Sequence, residues 1–138
     1  MTTTGSTARP PARTATPLRA LQVTAVLAVV VLGWQFVTAG ELVASGLRDG
    51  LDAHAAGAVV LHVVSGLAAA AAVWLRLRGG STAPAALAVG VFVVGFVQAW
   101  SGDHAPLTVH VPVALLTVST AVWLVVASFT TARRRPGR

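Results

Sequence analysis

Four long apolar runs separated by short polar breaks dominate the chain, covering about residues 18–39, 52–75, 83–100 and 106–130. Each approaches or exceeds the roughly 20 residues that carry a helix across about 30 Å of hydrocarbon. The breaks fall at 40–50, at RLRGGST (76–82) and at SGDHA (101–105). Lipid offers no partner to a backbone amide or carbonyl, so runs of this length are predicted as helices rather than isolated strands. The fold class predicted is all-α: an integral membrane four-helix bundle over residues 18–131. Residues 1–17 (MTTTGSTARPPARTATP) lack apolar periodicity and are rich in Thr, Pro, Ala and Arg, which suits a disordered tail. Residues 132–138 form a second, basic tail. A signal peptide is the rival reading of the first run. That run is longer than a typical signal core, however, and further apolar runs follow it, which favours an uncleaved span.

Composition agrees with a membrane location. Hydrophobic residues make up 55% of the 138 and charged residues 10%, against roughly 25% charged in ordinary soluble domains. A soluble domain of this size has too little interior to hide so much apolar surface. The absence of cysteine excludes disulfides, thiolate metal sites and cysteine nucleophiles. The Ala- and Val-rich, arginine-only usage points to a high-GC bacterial genome and so to a bacterial inner membrane.

All ten basic residues are arginine and the net charge is +6. Such a balance raises the question of nucleic acid, but the arginines sit at the ends of the runs and read as topology signals. Arg9, Arg13 and Arg19 precede the first run, Arg76 and Arg78 follow the second, and Arg133, Arg134, Arg135 and Arg138 follow the fourth. All four acids (Glu41, Asp49, Asp52 and Asp103) lie on the other side with Arg48 alone. The positive-inside rule makes the arginine side cytoplasmic, with both termini there.

The two halves of the chain are faintly alike. The first run ends GWQFVTAGE (33–41) and the third ends GFVQAWSGD (95–103). Each has a glycine, an aromatic residue, a glutamine and a Gly-acid pair, and each precedes a run with histidine near its outer end. A hairpin repeated about an axis along the membrane normal has this pattern.

Candidate chemistry rests on four histidines, His54, His62, His104 and His110, all in or beside the outer halves of the second and fourth runs. Ionisable side chains within a membrane are costly and mark candidate sites. Counted from the run boundaries, His54 is about two residues deep and His110 about four, within about 3–6 Å of one height at 1.5 Å per residue. Facing histidines at matched depth are what a bis-imidazole haem iron requires. The small residues Ala53, Ala55, Ala56 and Gly57 beside His54 leave room for a flat macrocycle. His62 lies eight residues beyond His54, about 80° around the helix and about 12 Å deeper. It is an alternative partner of His110, a second cofactor residue, or a structural hydrogen-bonding group. His104, beside Pro106, is a propionate or proton partner or an ordinary polar loop residue. Gln35 and Gln98 either bond between helices or line the cofactor cavity. Zinc is the weaker proposal, since only Asp52 or Asp103 is placed to complete a tetrahedral site. The four tryptophans (Trp34, Trp74, Trp100 and Trp123) read mostly as interfacial anchors.

The segment VVGFVQAWSGDHAPLTVHVPVALLTVSTAVWLVV resembles a helix hairpin of haem A synthase, and DAHAAGA resembles the start of that family's second helix. The family is similar to two fused four-helix bundles, each with haem-holding histidines on its second and fourth helices. Residues 18–130 match one such half. The resemblance implies His54 and His110 as axial ligands. This chain differs in having four runs rather than eight and in lacking the outer-loop cysteines of many members. Its Asp52 also stands two residues before His54 rather than three. The expected function is therefore a small b-type haem protein that transfers electrons or holds haem, rather than an enzyme on its own. His54, His110, His62 and Gln98 are the cofactor residues, and haem b the cofactor. The lipid bilayer, a second copy of the chain or a redox partner would be its associates, with no role for nucleic acid. A small transporter or efflux subunit is the alternative, although the first run contains no acid for proton coupling. A structural or assembly subunit without cofactor is the third reading.

Overall fold

The computed structural model describes residues 12–133; of the tails expected at 1–17 and 132–138, residues 1–11 and 134–138 lie outside the described residues. Four helices account for nearly all of it: α1 (Ala12–Ala44), α2 (Leu51–Leu77), α3 (Thr82–His104) and α4 (Leu107–Arg133). No strand occurs among the described residues. Each helix is long and apolar enough to cross a membrane. Short connections make successive helices antiparallel neighbours. Each packs on the next, and α4 closes against α1, so α2 and α4 stand across a four-membered ring from each other. This is the architecture of a multi-pass membrane protein.

The helices outrun the apolar stretches that predict them. α1 begins at Ala12 and takes in Pro17, so residues 12–17 are helical rather than part of a disordered tail. At its other end α1 passes Gly40 and Glu41 and stops where Gly46 and Leu47 adopt φ of 66° and 65°. α3 likewise continues through SGDH, and the break expected at 101–105 shrinks to Ala105 and Pro106. The cause is the proline. Its ring disfavours the helical region for the residue before it, and Ala105 is extended at φ −123°, ψ 156°. His104 is therefore the last residue of α3 and not part of a loop.

The turn between α2 and α3 shows how the polar breaks work. Gly79 has φ 84°, a left-handed conformation in which a Cβ is strained. Its N–H bonds the Arg76 carbonyl at 3.0 Å, and the Gly80 N–H bonds the Leu75 carbonyl at 2.9 Å. These two bonds close a Schellman motif and satisfy carbonyls that the end of α2 would otherwise leave bare. Ser81 then caps α3, its hydroxyl accepting from the Ala83 N–H.

Between the helices the packing relies on small side chains. One buried cluster joins Leu18, Leu21, Ala25, Ala68, Ala72 and Leu124 near the arginine-bearing end. A second joins Ala28, Leu32, Leu61, Val91 and Ala121 at mid-height. Alanine at these contacts lets backbones approach, which is how helices gain dispersion energy where lipid already solvates apolar groups. Outward faces carry large apolar residues such as Val59, Leu77 and Trp123, all more than half exposed. Apolar surface on this scale marks contact with membrane.

Above the second cluster the interior changes character. Of the large apolar side chains, only Leu42 is buried there among the described residues. Thr38 and Ser101 take buried positions instead, at 0% and 1% exposure.

Gly79→Ala should lower stability by about 1–2 kcal/mol, the cost of a left-handed non-glycine residue. Gly33→Ala, in α1 with open space around its Cβ, should be neutral or slightly stabilising. Retention of helicity by circular dichroism during SDS titration of the detergent-solubilised protein compares the two.

Candidate functional site

His54 and His110 occupy equivalent places. His54 is the fourth residue of α2 and His110 the fourth of α4. Their backbone N–H groups bond the Gly50 and Pro106 carbonyls at 2.9 and 3.1 Å. The unequal counts of two and four residues from the ends of the apolar runs become the same count from the helix starts.

Each imidazole is oriented by a buried hydroxyl on the preceding helix. Thr38 Oγ1 lies 2.9 Å from His54 Nδ1. The hydroxyl also reaches its own helix's carbonyls, Gln35 at 3.1 Å and Trp34 at 3.3 Å. A hydroxyl has one proton. Given to a carbonyl, it leaves Thr38 Oγ1 as an acceptor for the His54 Nδ1–H. The second half repeats the arrangement. Ser101 donates to the Gln98 carbonyl at 2.8 Å, and its oxygen lies 3.0 Å from His110 Nδ1. Both neutral rings are thereby placed in the tautomer that leaves Nε2 as a lone pair. Metal-binding histidines are commonly held this way, with the second ring nitrogen donating to a fixed oxygen.

His62 has the same tautomer by a different route. Its Nδ1 lies 2.9 Å from the Ala58 carbonyl, which can only accept. Its Nε2 is buried without a partner, facing Gly95, with the Phe96 ring at 4.5 Å. His62 therefore points at α3. His104 is exposed, bonds the Trp100 carbonyl at 3.0 Å and stacks on the Trp100 ring at 5.4 Å. Its bond and its ring contact both lie within α3.

The glutamines differ between the halves. The Gln35 side chain lies over Gly57, where its carbonyl oxygen fills the space a Cβ would need. Gly57 is three residues past His54, and the equivalent position of α4 is Val113. Gln98 turns instead to His110, with its Nε2 at 3.0 Å from the ring Nε2 and 3.2 Å from Nδ1. Nearly equidistant from both ring nitrogens, the amide stands over the face of the His110 imidazole rather than in its plane.

Whether these residues suit a haem can be tested on their polar atoms. Among the described residues, the buried side-chain atoms without a partner are Gln35 Oε1, His62 Nε2 and Gln98 Oε1. Unsatisfied buried groups are rare in folded proteins and call for an explanation such as a bound group. All three belong to the arginine-poor half of the bundle that holds the histidines. His54 and His110, each with Nδ1 beside a hydroxyl, stand on helices that lie across the ring from each other. No group of three or more His, Cys, Asp or Glu side chains able to hold a metal ion occurs among the described residues, so a multi-ligand zinc site is not formed by them.

Fold and site together define a four-helix membrane bundle with a histidine at the fourth position of both α2 and α4. Compared with known protein families, curated proteins and solved structures, the chain matches none.

Thr38 and Ser101 were not legible as site residues from the chemistry of either alone. The signal was the spacing Gln-x-x-Thr at 35–38 and Gln-x-x-Ser at 98–101, inside the two segments already seen to be alike.

In ¹⁵N NMR of the micelle-bound protein, neutral His54, His62 and His110 should show the Nδ1–H tautomer. Thr38→Val should abolish that preference at His54 and leave it intact at His110.

Proposed function

We propose that this protein is a small membrane b-type haem protein, with His54 and His110 as axial ligands between α2 and α4. The observation that carries the reading is the matched pair of oriented imidazoles, each in the fourth position of its helix and each held at Nδ1 by a buried hydroxyl. The resemblance of residues 18–130 to one half of haem A synthase supports the same pair. A haem there supplies one-electron chemistry at a potential set by its ligands and its burial.

The chain's own residues divide the remaining work. His54 and His110 bind, while Thr38 and Ser101 fix their tautomers and ring orientations. Gln98 and His62 line the α3 side, and Ala53, Ala55, Ala56 and Gly57 keep that stretch of α2 slim. Leu32, Leu61 and Val91 form an apolar floor beneath the site. This arrangement suits an electron carrier or a haem holder that serves a partner, rather than an enzyme acting alone. A second copy of the chain or a redox protein in the same bilayer is the partner in view.

Arg13, Arg19, Arg76, Arg78 and Arg133 gather at the end opposite the histidines, and Glu41, Asp49, Asp52 and Asp103 at theirs. The positive-inside rule then puts both termini in the cytoplasm, the histidines near the outer face, and the protein in a bacterial cell membrane. The cysteine-free chain allows a clean check. In intact cells a membrane-impermeant maleimide should label Asp49→Cys and not Thr4→Cys; the reverse pattern inverts the topology.

The haem reading is tested by purifying the full chain in mild detergent from haem-supplied cells. Oxidised and dithionite-reduced spectra should show a sharp low-spin α-band, with about one protohaem per chain by pyridine haemochrome. Alanine at either His54 or His110 should remove that band. A colourless protein sinks the reading and leaves transport or assembly to be examined.

A further inference from the structure

We propose that the α1–α2 seam binds an anionic phospholipid at the arginine-bearing end of the bundle, its phosphate held between Arg13 and Arg78. This site is independent of the haem reading above and needs only the membrane-spanning helices.

The register of α1 against α2 brings the two arginines to one height. Thr38 meets His54, and Gln35 lies over Gly57, so each step back along α1 matches a step forward along α2. Arg13 stands 25 residues before Thr38, and the residue 25 past His54 is Gly79. Arg13 is therefore level with Arg78 and Gly79. Twenty-five residues also fall within about 20° of seven whole turns, which keeps Arg13 on the face that Thr38 turns to α2. Arg78 lies about 60° around α2 from Gly57, on the side of exposed Leu67 and Trp74. Both arginines are exposed.

Arg78 is also placed rather than free. Its backbone N–H bonds the Trp74 carbonyl at 3.1 Å, and the Schellman bonds of Gly79 and Gly80 fix the chain just beyond. Its guanidinium carbon stands 5.9 Å from the centre of the Trp74 ring, a cation–π contact. Tryptophan is enriched where hydrocarbon meets headgroups, so the paired cation sits at the depth of lipid phosphate.

Nothing nearby in the chain neutralises the pair. All four acids stand towards the other ends of their helices. On α2 the acid is Asp52, 26 residues from Arg78 and so about 39 Å away along the helix. No acid occupies the first turn of α3.

These features select the occupant. A guanidinium matches phosphate oxygens in pairs, and two of them call for a full negative charge. A zwitterionic headgroup adds an ammonium or choline cation with no carboxylate here to meet it, which disfavours that lipid. A soluble phosphate would leave the apolar part of the surface unused. Val60, Leu67, Trp74 and Leu77 are all exposed along α2 above Arg78, and an acyl chain covers such a strip.

The test uses the full chain with Trp34, Trp100 and Trp123 replaced by Phe, reconstituted in phosphatidylcholine bilayers. Trp74 emission is then quenched with brominated phosphatidylglycerol, phosphatidylethanolamine or phosphatidylcholine. Phosphatidylglycerol should be preferred over both zwitterionic lipids. Arg78→Gln and Arg13→Gln should each reduce that preference about fivefold, the usual contribution of one arginine at an anionic surface. Arg78→Lys should retain most of it, and Arg19→Gln, on another face of α1, should leave it nearly unchanged. Inorganic phosphate should displace the lipid no more than chloride does at equal ionic strength. Native mass spectrometry of lipids retained by the unsubstituted chain and its arginine variants reads the same preference should the triple Phe variant not accumulate. Equal association of the three lipids overturns the proposal. So does an equal loss in Arg19→Gln and Arg78→Gln, which is diffuse attraction, or specific displacement by inorganic phosphate, which is a soluble-anion site.

Discussion

A polar group inside this bundle has no water to fall back on, and that constraint governs how its hydroxyls, amides and imidazoles are used. Buried threonines and serines spend their single proton on a carbonyl of their own helix, three or four residues back. That leaves an oxygen with acceptor capacity and no freedom to turn. Where the hydroxyl bonds only a carbonyl of its own helix, as at Thr117 and Ser128, it is simply accommodated. Where it lies beside an imidazole, as at Thr38 and Ser101, the oxygen determines which ring nitrogen carries the proton. The chemistry available at His54 and His110 follows from a bond made within a different helix.

The helices themselves were legible in the sequence because lipid makes hydrophobic length a direct statement about structure. Their ends were not. Apolar runs report where hydrocarbon lies, and a helix can continue beyond it for as long as its backbone bonds are met. Glu41 and Asp103 are poor residues for a membrane interior, yet nothing at those positions prevents a further helical turn. What ends the helices is local backbone chemistry: positive φ at Gly46 and Leu47, and the steric effect of Pro106 on Ala105. Once those stops are placed, the registers of His54 and His110 agree.

The site was half legible. Histidines in a membrane draw attention by their cost alone, and the likeness of 33–41 to 95–103 suggested corresponding surroundings. Thr38 and Ser101 escaped notice because small hydroxyl residues are common in membrane helices and carry no charge. Only three-dimensional proximity separates the two that touch imidazoles from those that bond nothing but their own backbone. The divergence between Gln35 and Gln98 was equally hidden. Gln35 rests on Gly57, and the position of α4 that corresponds to Gly57 is a valine, Val113.

The repeat also has a consequence for how the protein comes to maturity. Each hairpin, α1–α2 or α3–α4, carries one of the paired histidines together with the hydroxyl that orients it, and the Schellman turn at Gly79 is the joint between them. A hairpin alone is a finished half of the bundle with an unfinished site. Any group that needs both imidazoles can be held only after the second hairpin has entered the bilayer and docked on the first. Its capture would then act as a signal of completed assembly, dividing newly made chains into those with one hairpin in place and those with two.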